Sequence, residues 1–210
     1  MILRHSIPLL VLLLALLTGV IWAGPARGQT VNNPPYELNI RSGVMIPDDD
    51  LLGNDEDAEF QIGVSLARNF GGGFGVQGNF DWAPATDVSF PADPSFETDV
   101  HTYLYSGELT YTFPTPDVFQ VFVAGGAGAA TVVYDDIPPG NNDDSSTSFL
   151  LPISGGFRSF LSPNIAIRVE VKDNIIFMDA ADSPFLTGSD TDDLHNVQLT
   201  AGLSFFFGGP

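Results

Sequence analysis

Between Tyr36 and Phe207 the chain breaks into eight stretches in which apolar and polar residues alternate, and the connections between them run long, short, long, short, long, short, long. Alternation at period two marks strands with one apolar face. Connections that alternate in length belong to neighbouring antiparallel strands that run up and down in order, and closing such a sheet on itself removes its edges. The short connections, about Asn69 to Gly73, Phe113 to Asp117 and Leu161 to Asn164, contain one acid, Asp117. The long ones hold seven acids from Asp48 to Glu59, four from Asp87 to Asp99, four from Asp135 to Asp144 and five from Asp179 to Asp193, together 20 of the chain's 26. In an up-and-down barrel all four emerge at one end, so one rim is strongly anionic and the other nearly neutral.

The N-terminus says where such a chain goes. Arg4 and His5 precede an apolar run from Ile7 to Ala23, broken only by Pro8, Thr18 and Gly19, and small residues follow at Gly24, Ala26 and Gly28. This is the pattern of a helical secretory signal peptide, assigned to residues 1–28, with cleavage after Gly28 preferred over cleavage after Ala23. An uncleaved helical anchor is the alternative, but the run barely reaches the roughly 20 apolar residues a spanning helix needs. There is no cysteine, which excludes disulfides and a lipid-modified N-terminal cysteine. Residues 29–210 then form one domain. An exported, aromatic-rich, strand-patterned chain points to a bacterial outer membrane, because a strand of about 9 to 11 residues crosses the bilayer and need be apolar on one side only. The fold class expected is all-β: an eight-stranded antiparallel transmembrane barrel, tight turns in the periplasm and acidic loops outside.

Strand seven sets the sidedness. Ile165, Ile167, Val169 and Val171 alternate with Ala166, Arg168, Glu170 and Lys172. A basic residue facing lipid near the midplane costs about 2 to 4 kcal/mol, so the charged face points inward. The same alternation puts Glu37 and Arg41 of strand one, Asp81 of strand three, Glu108 of strand four and Arg158 of strand six inside. Four acids then meet four bases in a lumen with room for side chains only, and a packed, near-neutral ionic plug is expected, with no open pore. Strand five, Val118 to Tyr134, contains Ala124-Gly-Gly-Ala-Gly-Ala-Ala, small on both faces, and its faces stay unassigned. Pro152 in strand six costs a ladder bond unless a bulge or the rim accommodates it. Tyr36, Trp82, Tyr103, Tyr105, Tyr111, Phe113, Phe119 and Tyr134 fall near strand ends, as interfacial girdles do.

No constellation for catalysis stands out. The mature chain's histidines, His101 and His195, lie near the outer ends of strands four and eight, neither has a serine at the adjacent same-face position, and Ser106 lies well down its strand. A rim enzyme acting on lipid A needs such a pairing, so no catalytic residue is assigned. Gly71-Gly-Gly and Gly125-Gly126-Ala-Gly128 lead into no helix and are not phosphate loops. The runs Asp48-Asp-Asp, Asp55-Glu-Asp and Asp190-Thr-Asp-Asp are read as a solvated, self-repelling fringe in preference to a collector of divalent cations. No segment has a full calcium-loop pattern, and no metal ligand or cofactor site is assigned. With a net charge of -19, nucleic acid is excluded as a partner.

The glycine-rich strand Phe119-Gln-Val-Phe-Val-Ala-Gly-Gly-Ala-Gly, the sequence Gly155-Gly-Phe-Arg-Ser-Phe-Leu-Ser-Pro-Asn followed by Ile165-Ala-Ile-Arg-Val-Glu-Val, and the terminal Val197-Gln-Leu-Thr-Ala-Gly-Leu-Ser-Phe-Phe-Phe together resemble the small outer-membrane β-barrel family of the eight-stranded OmpA/OmpX-like type. The resemblance covers about Tyr36 to Phe207. It implies an integral outer-membrane protein with a structural, adhesive or surface-defence role and no catalysis; outer-membrane lipids are its expected partners and a monomer its expected state. The family usually ends on an aromatic read by the barrel assembly machinery. Here Gly208-Gly-Pro follows, which makes Phe205 with Phe207 the candidate signal. A soluble lipocalin-like carrier with apolar faces turned inward is the remaining alternative. It lacks a Gly-x-Trp in the first strand and would expose Arg168, Glu170 and Lys172 together.

Overall fold

The computed structural model describes residues 34–46, 58–90, 93–114, 118–136, 145–179 and 191–208. The expected signal peptide and the acidic runs Asp48-Asp-Asp and Asp55-Glu-Asp lie outside them. Eight strands are formed: β1 Tyr36–Ile46, β2 Glu59–Gly71, β3 Phe74–Phe90, β4 Asp93–Thr112, β5 Phe119–Tyr134, β6 Ser145–Ser162, β7 Ile165–Asp179 and β8 Thr191–Phe207. Each pairs antiparallel with its sequence neighbour, and β1 pairs with β8 from Tyr36↔Phe207 to Ile46↔Val197, closing the barrel. The seam is pinned at the turn-bearing end by stacked rings of Tyr36 and Phe207, 5.7 Å apart.

The short connections make the turns their composition demands. β2 and β3 are joined through Gly72 and Gly73, both at positive φ (62° and 88°), which the favoured two-residue hairpin turns require and side chains resist. On the opposite rim, β3 and β4 continue past the alternating core to Phe90 and Asp93, with register shifts between Ala85 and Val88 and between Ser89 and Phe90. All four acids counted there as connection, Asp87, Asp93, Glu97 and Asp99, therefore sit on strand extensions. Pro152 stands in register opposite Asn174 of β7, but toward β5 the ladder stops at Gly125↔Ile153 and resumes at Gly128↔Leu150. The lost bond is absorbed by a gap opposite Gly126 and Ala127, and no bulge is needed.

Sidedness follows the alternation. Ile40, Leu66, Phe74, Leu109 and Ile153 are 56, 56, 62, 70 and 59% exposed on the outer wall, whereas Glu37, Arg41, Asp81, Glu108, Arg158, Arg168, Glu170 and Lys172 are all buried within. An outer wall this apolar is unfavourable in water and is what hydrocarbon solvates. The carrier alternative, with apolar faces inward, is contradicted by this arrangement. β5 resolves its ambiguity by turning Phe122, Ala124, Ala130, Val132 and Tyr134 inward. Glu59, counted in the sequence with a loop, is the half-buried first residue of β2, on the same face as the buried Gln61.

Candidate functional site in the lumen and on the outer rim

The lumen is layered. Nearest the short turns, Phe160, Ala166 and Phe206 form a small apolar floor, with the Phe160 and Phe206 rings 5.1 Å apart. Toward the acidic rim, Met45, Ala83, Val100, Leu104, Ala130, Val132, Tyr134, Leu150, Ile176 and Leu194 form a larger apolar layer. The charges expected from the sequence fill the space between. The ionic middle is legible in the sequence; the upper apolar layer is not, because strand five contributes three residues to it and the sequence leaves its faces unassigned.

Within the middle layer Arg158 and Arg168 stand directly opposite each other on β6 and β7. Like charges in that position repel. Glu37, reaching in from β1, lies 2.8 Å from Arg158 Nη2 and 3.3 Å from Arg168 Nη1, and the Ser204 hydroxyl donates to it at 2.6 Å. Both guanidinium carbons also lie over the Phe122 ring, at 4.6 and 4.2 Å. A desolvated cation over an aromatic face gains up to about 2 kcal/mol. Arg168 makes a second pair with Glu170 at 2.9 Å, Lys172 pairs with Glu108 at 2.9 Å, and Arg41 with Asp81 at 2.7 Å. All four acids and four bases are thus engaged. Gln77 and Asn79 knit the pairs together: Gln77 donates to Glu108 and accepts from Arg168, and Asn79 accepts from Arg41.

The Arg41–Asp81 pair spans from β1 to β3 across β2, and it passes over Gly63. A Cβ at Gly63 would run into the Asp81 carboxylate and approach Arg41 Nε at 3.0 Å. Glycine at this position is therefore part of the site.

The rim histidines are held differently. His101 faces outward beside Trp82 and Tyr103, with Nε2 3.7 Å from Asp135. Ser106 faces inward and donates to Glu108, so the wall of the barrel separates it from His101. His195 also faces outward, its Nδ1 2.9 Å from Asp173 Oδ2. This second pair is not legible in the sequence, because Asp173 follows Lys172 and reads as one more charge at a strand end. It stands instead on the outer wall, below Ile175 and Phe177 on the same face. Among the described residues no group of three or more His, Cys, Asp or Glu converges as a metal site.

Comparison with known proteins agrees with this geometry. The family model described as outer membrane protein beta-barrel domain matches residues 12–205. No curated protein sequence matches the chain. Among solved structures, Neisserial surface protein A is similar with a TM-score of 0.59 at 15% identity, covering 82% of this chain and 97% of that one. Ail, the attachment invasion locus protein of Yersinia pestis, gives 0.54 at 15% identity over 83% and 99% of the two chains. The N-terminal β-barrel domain of Pseudomonas aeruginosa OprF gives 0.50 at 14% identity over 84% and 100%. At such identities the likeness is one of fold.

Proposed function

Because this chain belongs to the outer membrane protein β-barrel family and resides in the bacterial outer membrane, we propose that it works there without catalysis and without an open pore, as a rigid anchor presenting four acidic segments for surface interaction. The observation that carries this is the lumen. Fully buried Arg158 and Arg168, locked by Glu37 and stacked with Phe122, fill its centre, and apolar layers lie above and below. A lumen filled in this way transmits nothing, so what remains to act is the outer rim. Its surplus of acid favours partners bearing exposed Lys or Arg, because attraction between opposite patches steers encounter and repulsion rejects polyanions.

The remaining parts of the reading follow the same logic. Residues 1–28 serve as the export signal and are removed. Phe205 and Phe207, both outward at the end of β8, are offered to the barrel assembly machinery. The barrel acts as a monomer among lipids, and the acids work as a solvated fringe with no required divalent cation. The rim-enzyme reading has no support in the arrangement of Ser106 and His101 on opposite faces of β4.

The test is twofold. The purified barrel in planar bilayers is expected to give no stepwise conductance. Cells displaying it are expected to bind an immobilised basic protein at low salt and to lose that binding when the segment acids are changed to their amides. Discrete channels, or binding indifferent to those acids, would overturn the proposal.

A further inference from the structure

Between β2 and β3 the ladder runs from Gly71↔Phe74 at the turn to Ile62↔Trp82 and ends there, although β2 continues to Glu59 and β3 to Phe90. Continued in the same register, Phe60 would meet Pro84, which has no N–H to give. On its other side β2 stays paired with β1 to the end, through Val44↔Phe60 and Met45↔Glu59. Among the described residues, Glu59 and Phe60 are thus laddered on one side only, and the barrel wall has a slit at its acidic rim.

The side chains at this strand end are poorly satisfied as well. Glu59 points into the lumen, with Met45 of the rim-end apolar layer directly opposite it. Its Oε2 is buried without a hydrogen-bond partner, and so are both amide atoms of Gln61 below it. No base among the described residues answers it. Arg41 of β1 and Asp81 of β3 lie deeper in the lumen and are engaged with each other. β4 turns Val100 and Thr102 inward and β8 turns Asn196 and Gln198, while across the lumen β5, β6 and β7 present Tyr134, Leu150 and Ile176. Asp99, His101 and His195 stand on the outer face, and the acids Asp55, Glu56 and Asp57 precede Glu59 in sequence. Ile62 stands opposite Trp82 and Trp82 opposite Tyr103, at the outer aromatic girdle, so Glu59, three residues further on, lies past the apolar band. Burial alone pushes its carboxyl from the ordinary 4.5 up to about 7.

We propose that the start of β2 is a pH-operated leaf of the rim: with Glu59 protonated, Glu59 and Phe60 lie docked along the lumen's apolar layer, and with Glu59 ionised they part from it and widen the slit toward solvent. The docked leaf holds its proton more tightly than a solvated carboxyl does. Docking is therefore fully favoured below pH 4.5 and is given up as the pH climbs through about 7. One-sided pairing lets the strand end move, because leaving the layer breaks no ladder bond to β3. Since β2 begins where the first acidic segment ends, the leaf ties the shape of the rim to the acidity of the medium.

The chain has no cysteine, so a single nitroxide label can be placed cleanly. Phe60→Cys reports the leaf, and Leu66→Cys, outward on the same strand but laddered on both sides, is the control. Each labelled barrel is reconstituted in phosphatidylcholine vesicles, and its EPR spectrum is followed from about pH 5 to about pH 9. The mobile fraction at Phe60→Cys is expected to rise severalfold with a midpoint near 7, and that at Leu66→Cys to stay flat. Adding Glu59→Gln, whose amide is neutral throughout, is expected to hold the Phe60→Cys label in its low-pH state over the whole range. A flat response at Phe60→Cys, a response that survives Glu59→Gln, or an equal response at Leu66→Cys would each overturn the leaf. If Phe60→Cys does not close into a barrel, judged by heat-dependent mobility on gels, Ala58→Cys at the exposed head of the strand carries the label instead and is read in the same way.

Discussion

At the scale of single residues, the most consequential side chain is Glu37. It is the anion that allows Arg158 and Arg168 to stand opposite each other on β6 and β7. Removing one member of a buried charge set leaves the others uncompensated, at a cost of about 3 to 5 kcal/mol. Glu37→Gln is therefore expected to lower the unfolding free energy of the barrel in phospholipid vesicles by that amount, read from urea titrations. A loss below about 1 kcal/mol would mean that the guanidiniums find other partners. Gln61 is the opposite case. It is fully buried, yet neither amide atom has a hydrogen-bond partner among the described residues. An unsatisfied buried polar group costs about 1 to 3 kcal/mol, and an apolar side chain of similar size relieves it. Gln61→Met is expected to raise stability in the same titration by about 1 kcal/mol. These two residues carry similar burial and have opposite worth, because one completes a network and the other does not.

At the scale of elements, the glycines decide which strands can approach. Gly63 on β2 leaves room for the Arg41–Asp81 pair to cross from β1 to β3, so Gly63→Ala is expected to break that pair and destabilise by about 3 kcal/mol, as an orphaned buried charge does. The double variant Gly63→Ala/Asp81→Ala, which removes the side chain the new methyl would strike, should lose no more than Asp81→Ala alone. Additive losses would show that Gly63 acts through the backbone instead. This dependence was invisible in the sequence, where Gly63 is one small inward residue among several. What was legible were the strands whose two faces differ in chemistry: β7, with Arg168, Glu170 and Lys172 against Ile and Val, announced its sidedness outright. β5 could not, since alanine and glycine carry no polarity to alternate, and its inward Phe122, Val132 and Tyr134 became visible only once neighbouring strands fixed the register. The eight-fold topology was readable for a related reason, because connection length and acid content alternate together. The Asp173–His195 pair stayed hidden because its partners lie on different strands and two residues out of direct register, a relation only the closed sheet reveals.

At the scale of the whole molecule, three layers of side chains fill the lumen, and the layers do different work. The ionic middle fixes the relative positions of β1, β3, β4, β6 and β7, as the pairs Arg41–Asp81, Arg158–Glu37 and Lys172–Glu108 show. The apolar layers, Phe160 with Phe206 at the turn end and the Met45–Leu194 cluster at the rim end, bracket it on both sides. A hydrophobic constriction blocks ions even where there is space, because a narrow apolar passage empties of water. Neutralising the middle alone should therefore leave the barrel non-conducting. Glu37→Gln combined with Arg158→Gln, which removes one acid and one base and keeps the lumen neutral, is expected to show the same silent baseline in planar bilayers as the wild type. Adding Phe160→Ala and Phe206→Ala opens the turn end and should bring at most brief leaks, with the rim-end layer still in place. Only when Leu104→Ser and Ile176→Ser thin that layer as well should steady steps of current appear. Channels opened by the charge pair alone would place the seal in the salt bridges and would make the apolar layers incidental packing.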